Sequence, residues 1–322
     1  MPAYDPPERS EWRLFAPYEK VWQLNGEVMM RIGLSALRVV CAAAVLAAAP
    51  AWAQLATPEE VQSPLLVLQH LPHAPSHDRI QVKTYDFKEL GAPSEYQLFV
   101  PSKYDRTKPT PLIVLLHCLQ CPPQQFIRSA DLTELAEQRG YIVVAPMGVN
   151  LHGWYGARGN SIAQTTPRAG RGGQPAAPPD PPNLGELSEL DVMNVFNIVK
   201  KDFNIDPKRT YLAGQSMGGG GTFYLGIKHP EIWAALAAAD PAVTGGPEQL
   251  RSIPAMPVIV IQGDADRLVR TENTRKWVDE MKSLGMTFEY IEVPGGDHMV
   301  PFIRTPENMR KVFDFLDAHP KR

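Results

Sequence analysis

From about residue 79 onward, the chain alternates short apolar stretches with segments in which apolar residues recur every three or four positions. Two early stretches, RIQVKTYDF and SEYQLFVP, alternate apolar and polar residues and predict an antiparallel pair of strands. The runs PLIVLLH at 111–117 and YIVVAP at 141–146 are continuously apolar, which is typical of strands covered on both faces. Further strands are predicted at 209–214, 233–240, 257–263 and 287–293.

Segments with helical periodicity separate these strands. Helices are predicted at 124–139, from Ser188 onward, at 217–229, and near 271–284 and 305–318. Ser188 followed by Asp191 resembles a capping box, so we expect a helix to begin there. Strands that alternate with helices predict an α/β fold, in which a mostly parallel, twisted sheet carries helices on both faces.

The periodic pattern stops between 147 and 185, where Gly and Pro are frequent. Long irregular segments inside compact domains are usually functional or disordered. We expect residues 157–183 to be either a mobile lid or a solvent-exposed segment without a function of its own. Trp154 and Tyr155 lie near the start of this loop, which leaves the sheet at the edge where ligands bind. They are expected either to line an acyl or aryl pocket or to pack the loop onto the body.

Residues 30–53 have the pattern of a secretory signal peptide. Arg31 and Arg38 supply positive charge ahead of an apolar run of about eleven residues. Ala-Trp-Ala at 51–53 is a small-x-small cleavage signal. The alternative is a transmembrane anchor, but a spanning helix needs about 20 apolar residues. We therefore expect a secreted or periplasmic protein with no stable membrane insertion after cleavage.

The other domain boundaries follow from composition. Residues 1–29 carry five acidic and three basic residues, the wrong balance ahead of a signal peptide, and are interpreted as a non-native extension. Residues 54–78 are rich in Pro and His and are interpreted as a linker, which leaves 79–322 as the folded domain.

Overall composition limits the class of partner. The chain has 322 residues, of which 44% are hydrophobic, and a formal net charge of −3. This length allows one large domain with a sizeable core, or two modest ones. Basic residues are scattered with no long run, so nothing in the charge pattern favours nucleic acid as a partner.

Two cysteines, Cys118 and Cys121, remain after the predicted cleavage. In an oxidising compartment they can pair, and a separation of three residues satisfies disulfide geometry in some turns. A disulfide, two buried thiols and a redox pair all stay open, although no thioredoxin-like context surrounds these cysteines.

The segment LAGQSMGGGG places Ser216 between a predicted strand and a predicted helix, with Gly214 and Gly218 two residues away on either side. A sharp strand-to-helix turn strains its central residue and brings the neighbouring backbones too close for a Cβ, which explains both glycines. Such a turn lifts the hydroxyl above the sheet edge, at the amino end of the next helix. Ser216 is therefore the predicted nucleophile, and a solvent-exposed serine in a Gly-rich turn is the alternative.

A serine hydroxyl needs a base, and the base needs an orienting acid. His298, in GGDHMV, follows the last predicted strand and can reach over the sheet edge toward Ser216. The alternatives are a surface role for His298, or His117 as the base, although a histidine at position 117 more often bonds backbone and shapes its loop.

The predicted acid is Asp266, in QGDADRLV, three residues after a strand ends. A carboxylate there can reach back to a histidine on the next loop, hold its tautomer and favour the imidazolium. Asp240, at the end of the preceding strand, and Asp264 are alternative positions for this acid.

A tetrahedral intermediate also needs hydrogen-bond donors. One predicted donor is the backbone N–H of Met217, the residue after the nucleophile, and the second comes from the loop after the strand at 111–117, with Leu119 N–H as the candidate. This chemistry requires neither a cofactor nor a metal ion.

Ser216 in GQSMG, Asp266 in GDADRLV and His298 in GDHM, in this order, resemble the α/β-hydrolase superfamily from about residue 80 to the end. Within it, the chain is similar to secreted esterases grouped with polyhydroxybutyrate depolymerases and feruloyl esterases. The stretches PLIVLLHC, LTELAEQRGYIVVAP and SELDVMNVFNIVKKDFNIDPKRTYLAGQSMGG carry this similarity. Such proteins usually have His-Gly where this chain has His117-Cys118. The glycine gives conformational freedom to the loop that supplies the oxyanion donor. In this chain, a bond between Cys118 and Cys121 is one way to fix that oxyanion loop instead.

The resemblance implies a serine carboxylic-ester hydrolase that works through an acyl-enzyme intermediate on a small-molecule or polymeric ester. A serine peptidase or acyltransferase on the same fold and a polyester or feruloyl ester depolymerase are the alternatives, because the same three side chains serve all of them. A catalytically silent binding protein is the remaining, non-enzymatic alternative.

Overall fold

The computed structural model describes Leu68 and residues 71–164 and 179–321 of the chain. The predicted N-terminal extension, the predicted signal peptide and the middle of the long loop lie outside these residues. Among the described residues, none of the helices is long and apolar enough to cross a membrane. The described part therefore covers most of the predicted α/β domain and the end of the predicted linker.

One sheet of eight strands forms the centre of the described domain. The strands are β1 Ile80–Phe87, β2 Ala92–Phe99, β3 Thr110–Leu116, β4 Ile142–Pro146, β5 Ile205–Gln215, β6 Leu236–Ala239, β7 Val258–Gly263 and β8 Phe288–Val293. They lie in the order β1-β2-β4-β3-β5-β6-β7-β8. β1 and β2 pair antiparallel, β2 pairs antiparallel with β4, and the strands from β4 across to β8 are parallel. The predicted mostly parallel sheet and the predicted antiparallel pair are both confirmed.

Helices cover the two faces of this sheet. They are α1 Pro123–Phe126, α2 Leu132–Arg139, α3 Leu184–Asp202, α4 Met217–Lys228, α5 Thr271–Ser283 and α6 Pro306–Ala318, with a π-helix at Val300–Arg304. Ile113 and Leu115 of β3 pack with α1, α2 and α6 on one face, whereas the alternate residues Leu112 and Val114 pack with α3, α4 and α5 on the other. The continuous apolar run of β3 thus serves two cores.

Two predicted helix boundaries were wrong. The helix predicted at 124–139 is two helices, because Ala130 and Asp131 adopt positive φ values of 40° and 60° that no α-helix continues through. The next helix, α3, begins at Leu184, so the capping box predicted at Ser188 does not exist. Ser188 and Asp191 lie inside α3, fully buried, where their side chains bond to other parts of the domain.

The end of the predicted linker packs onto the domain. Residues Pro75–Arg79 form a 3-10 helix, and the Ser76 hydroxyl lies 2.7 Å from the Thr133 hydroxyl of α2. Leu68 is buried in the same hydrophobic cluster as residues of α2 and α6. These residues of the predicted linker thus contact the domain, and the predicted boundary at residue 79 stays a prediction.

The parallel strands bring five loops to one edge of the sheet, where their carboxyl ends meet. Ser216 follows β5, Asp240 follows β6, Asp266 follows β7 and His298 follows β8. The loop after β3, which begins at His117, lies at the same edge because β3 pairs with β5. The fold thus brings Ser216, Asp266 and His298, which lie far apart in the sequence, to one edge of the sheet.

Candidate active site

Ser216 occupies the sharp turn between β5 and α4. Its φ and ψ are 56° and −115°, a strained conformation for a residue with a side chain. The surroundings enforce this backbone: Ser216 N–H donates to Ala239 O at 2.9 Å, and Ser216 O accepts from Ala242 N–H at 2.9 Å. The side chain is 8% exposed at the amino end of α4. A strained residue that its neighbours hold in place is the expected arrangement for a nucleophile at this turn.

The glycines on either side of Ser216 are required by close approach. A Cβ on Gly214 would lie 2.5 Å from the carbonyl of Gly218, and a Cβ on Gly218 would overlap the carbonyl oxygen of Leu116 in β3. Further along α4, a Cβ on Gly221 would lie 2.7 Å from the ring of Tyr155. The cluster of glycines therefore lets the turn and the first turn of α4 pack directly onto β3 and its loop.

His298 and Asp266 form a buried pair. The His298 Nδ1–H donates to Asp266 Oδ2 at 2.6 Å, and both residues are 7% exposed. Asp266 is held in turn by Leu268 N–H and Val269 N–H, which donate to its Oδ1 at 2.8 and 2.9 Å. This arrangement fixes the tautomer of His298 and directs its Nε2 away from the carboxylate.

Ser216 and His298 are linked through the residue before the nucleophile. The Gln215 side-chain amide donates to His298 O and to Asp240 Oδ2, and Asp240 Oδ1 accepts from Gly263 N–H at 2.9 Å. Asp240 thus bonds Gln215 and Gly263, whereas Asp266 bonds the imidazole itself. Between these two positions for the acid, the geometry favours Asp266.

No hydrogen bond joins Ser216 Oγ to His298 Nε2, and neither atom has another hydrogen-bond partner within the described residues. Unliganded active sites often hold such contacts long, and they tighten when substrate binds. Ser216 and His298 thus each leave one reactive atom unengaged on neighbouring loops at the same sheet edge.

The loop after β3 is fixed by covalent and hydrogen bonds. Cys118 and Cys121 form a disulfide, and Gln120 N–H donates to Leu151 O at 3.0 Å. Within the described residues, the backbone N–H of Leu119 has no acceptor. Met217 is the first residue of α4, where helix geometry leaves its N–H without an intrahelical acceptor. The two predicted oxyanion donors are thus unsatisfied N–H groups on segments that lie against each other at Gly218.

His117, the alternative base, is fully buried and its ring faces the backbone. Nδ1 lies 2.9 Å from Cys118 O, and Nε2 lies 2.9 Å from Met147 O. Burial lowers the pKa of His117. Because both ring nitrogens are occupied by carbonyl groups, His117 shapes the oxyanion loop and is not available as a base.

Tyr155 does not line a pocket. Of the two expectations for this residue, a pocket wall or an anchor for the loop, the first was therefore wrong. Its side chain is fully buried, its hydroxyl donates to His117 O at 3.1 Å, and its N–H donates to Ser188 Oγ at 3.0 Å. Tyr155 therefore packs the long loop against α3 and α4 and supports the oxyanion loop. Trp154 is 8% exposed, and the Arg158 guanidinium lies over its ring, 3.5 Å from the ring centre.

A third buried carboxylate, Asp191, holds several segments together, a role that the sequence analysis missed. It accepts hydrogen bonds from Tyr85 Oη at 2.7 Å, from Ser94 Oγ at 2.7 Å and from Gly148 N–H at 2.7 Å. Burial is the largest influence on the pKa of Asp191 and raises it. Asp191 thus ties β1, β2 and the start of the long loop to α3. Only its position on the apolar face of a predicted helix could have signalled this role.

Asp240, Asp266 and His298 are the group in the described part of the chain whose ligand-type atoms lie close enough to share a metal ion, all within 4.8 Å. These atoms are already engaged: both Asp266 oxygens accept hydrogen bonds, and Asp240 accepts from Gly263 and Gln215. Asp240 is also fully buried, and burial raises its pKa well above the ordinary value. The donor set fits a hydrogen-bonded network better than a metal site.

The fold and the sequence both have relatives among esterases. The chain is 25% identical over 170 residues to S-formylglutathione hydrolase from Bos taurus, which is 50% of this chain and 56% of the relative. The structure is similar to that of a thermostable esterase, with a TM-score of 0.58, 20% identity, and coverage of 76% of this chain and 64% of the other. The chain therefore spans about half the length of the curated relative and less than two thirds of this esterase.

A third similarity is to the ferulic acid esterase of Anaeromyces mucronatus, of class CE1, solved with ferulic acid. The TM-score is 0.54 and the identity 16%, over 74% of this chain and 90% of the other. These structural similarities establish the α/β-hydrolase fold. The family model described as "Putative esterase" matches residues 88–305, about two thirds of the sequence. The chain therefore belongs to this esterase family.

Proposed function

We propose that the chain is an exported serine hydrolase of carboxylic esters, with Ser216 as nucleophile, His298 as base and Asp266 as orienting acid. One observation carries the proposal: Ser216 is held at a positive φ in the turn before α4, while the His298–Asp266 pair occupies loops at the same sheet edge. Membership of the esterase family supports the substrate class.

Acylation begins when Ser216 Oγ attacks the ester carbonyl carbon and His298 Nε2 takes the hydroxyl proton. The resulting imidazolium is stabilised by Asp266, which accepts from Nδ1–H. The imidazolium then protonates the leaving alcohol as the C–O bond breaks, which leaves an acyl group on Ser216. Water, activated by the same imidazole, releases the carboxylic acid and restores the serine.

The developing oxyanion is stabilised by two backbone donors, Met217 N–H and Leu119 N–H. The first belongs to the amino end of α4, whose dipole favours negative charge. The second is held by the disulfide-bonded loop after β3. A single donor of this kind contributes roughly 3–4 kcal/mol to transition-state stabilisation.

Export is supported by the disulfide as well as by the sequence of residues 30–53. Disulfides persist mainly in oxidising compartments, such as the periplasm or the extracellular space, and Cys118–Cys121 is paired. Sequencing the amino terminus of the exported protein tests this proposal. A mature chain that begins at or near Gln54 is expected, and retention in the cytoplasm with an intact leader would contradict it.

The rim of the site suits an ester with an apolar acyl or aryl group. Three large hydrophobic side chains are exposed among the described residues, and two of them, Leu119 and Leu268, flank the site on the oxyanion loop and the acid loop. Exposed apolar side chains beside a nucleophile are a common feature of ligand-binding surfaces. The relative that was solved with ferulic acid is consistent with an aryl substrate.

The direct test compares Ser216→Ala with Ser283→Ala in hydrolysis of 4-nitrophenyl butyrate. Ser216→Ala is expected to lower kcat by about 10³-fold or more with the same thermal unfolding as wild type, because the nucleophile is lost. Ser283 ends α5 away from the site, so its variant controls for a generic loss of hydroxyl. Full turnover by Ser216→Ala would refute the nucleophile assignment.

A further inference from the structure

A cavity of about 600 Å³ is lined by residues of the loops that follow β6 and β7. Its wall includes Ala242 from the loop after β6 and Leu268 and Arg270 from the loop after β7. Ala242 N–H donates to Ser216 O, and Leu268 N–H donates to Asp266 Oδ1. The cavity therefore shares its walls with the turn that holds the nucleophile and with the loop that holds the acid.

The cavity is lined by three cations and by no acid. Arg158, Arg270 and Lys276 line it, and none of its lining residues in the described ranges is Asp or Glu. Within the same ranges, none of these three side chains forms an ion pair or donates a hydrogen bond. A lining that carries three positive charges and no negative charge attracts anions rather than cations.

Several other arginines of the domain pair with carboxylates. Arg139 pairs with Asp317 at 2.9 Å, Arg209 with Asp206 at 2.8 Å, and Arg275 with Glu292 at 2.6 Å. Arg158, by contrast, is held over the Trp154 ring, and burial lowers its pKa with no opposing carboxylate. Arg158 and Arg270 thus lack the carboxylate partner that these three arginines have.

We propose that this cavity binds a carboxylate carried by the ester substrate. The proposal extends the esterase function proposed above and names the substrate class: esters that bear a negative charge a short distance from the scissile carbonyl. Arg158 and Arg270 supply planar donors suited to a carboxylate, and Lys276 adds charge from the next turn of α5. Leu268, 59% exposed, gives the same substrate an apolar wall.

The first test measures binding alone, by calorimetric titration of the wild-type protein with glutarate and with its neutral isostere glutaramide. Glutarate is expected to bind saturably and glutaramide is not. The variant Arg270→Gln/Lys276→Gln is expected to weaken glutarate binding by about tenfold, and added salt is expected to weaken binding to wild type. Lys282→Gln, an exposed change on α5 outside the cavity, is the matched control and is expected to bind like wild type.

Absence of saturable glutarate binding, or equal binding by Arg270→Gln/Lys276→Gln, would overturn the proposal. Thermal unfolding of the double variant establishes that it is folded. Because this readout needs no turnover, it is independent of the ester hydrolysis that tests the proposed function.

The second test places the carboxylate on either side of the ester bond. One arm compares 4-nitrophenyl hydrogen adipate with 4-nitrophenyl butyrate, and the other compares 4-acetoxybenzoate with its methyl ester. In one arm, the ratio of kcat/KM for the charged over the neutral substrate is expected to fall about tenfold in the double variant, through KM. The arm that responds assigns the cavity to the acyl side or the alcohol side, and unchanged ratios in both arms would contradict the proposal.

Discussion

The His298–Asp266 and His152–Asp180 pairs of this domain have nearly the same chemistry and different surroundings. His298 and Asp266 lie 2.6 Å apart, and His152 and Asp180 lie 2.8 Å apart at the base of the long loop. The first pair bonds through Nδ1 and leaves Nε2 unengaged beside the loop that carries a strained serine. The second bonds through Nε2, and its carboxylate also holds Asn150 and the backbone of Gln164.

The two pairs differ in the ring nitrogen that meets the carboxylate and in their burial. Which ring nitrogen meets the carboxylate decides whether the outer nitrogen can reach a substrate. The His298 pair is more buried, with side chains 8% and 0% exposed against 17% and 11% for the His152 pair, which strengthens its electrostatic effect. We therefore propose that the first pair takes part in catalysis and that the second anchors the long loop.

The largest expected difference comes from removing each carboxylate's charge. Asp266→Asn is expected to lower kcat by about 10⁴-fold, because the imidazole loses its tautomer and its counter-charge. Asp180→Asn is expected to change kcat by less than about threefold while it lowers the free energy of unfolding by roughly 1–2 kcal/mol. Steady-state kinetics and urea unfolding of both variants separate the two roles, and comparable losses of kcat would contradict the assignment.

The close packing under Ser216 gives the next largest effect. In Gly218→Ala the new Cβ overlaps Leu116 O, so we expect a loss of roughly 1–3 kcal/mol of stability together with a large loss of kcat. Gly91→Ala is the control, because a Cβ on Gly91 meets open space and only its positive φ opposes the substitution. Its expected cost is about 1 kcal/mol, with normal kcat. A normal kcat in folded Gly218→Ala would show that the turn tolerates displacement.

The disulfide is expected to have a smaller effect, confined to the oxyanion loop. Cys118→Ser/Cys121→Ser is expected to lower kcat by about tenfold to a hundredfold, because Leu119 N–H is held less firmly. A reductant should reproduce this loss in wild type and have no further effect on the variant. An unchanged kcat after complete reduction, checked by thiol titration, would mean that Tyr155 and the other bonds hold the loop unaided.

The smallest effect concerns Asp240. Burial raises the pKa of this carboxyl group well above its ordinary value. A raised folded-state pKa means that the native state holds a proton which the unfolded chain releases above about pH 4. Stability from this group is full below that pH and falls as pH rises toward the folded pKa, by at most about 1.4 kcal/mol per pH unit. Asp240→Asn should remove this slope in urea unfolding from pH 4.5 to 7.5, and parallel curves for the two proteins would contradict it.

The sequence could predict the parts of the site that depend on local geometry. Ser216 and its flanking glycines are constrained by one turn, and the order of strands and helices places the loops of Asp266 and His298 at the same edge. Tyr155 could be placed in the loop but not in the core, because its partners His117 and Ser188 are 38 and 33 residues away in sequence. The interpretation of Ser188 failed for the same reason, since a tertiary contact replaced the expected cap.

The cavity beside the site could not be predicted either. Arg158, Arg270 and Lys276 come from two segments more than a hundred residues apart, and each resembles an ordinary surface cation in the sequence. Only the folded arrangement shows that they share one space without a carboxylate among the lining residues described.

The central claim is that His298 activates Ser216. It is tested most directly by the rate at which a fluorophosphonate labels the protein, with the modified peptide identified by mass spectrometry. We predict a single adduct on Ser216 in wild type and a labelling rate at least about 10³-fold lower in His298→Ala. An adduct on another residue, or equal labelling of His298→Ala, would contradict the account.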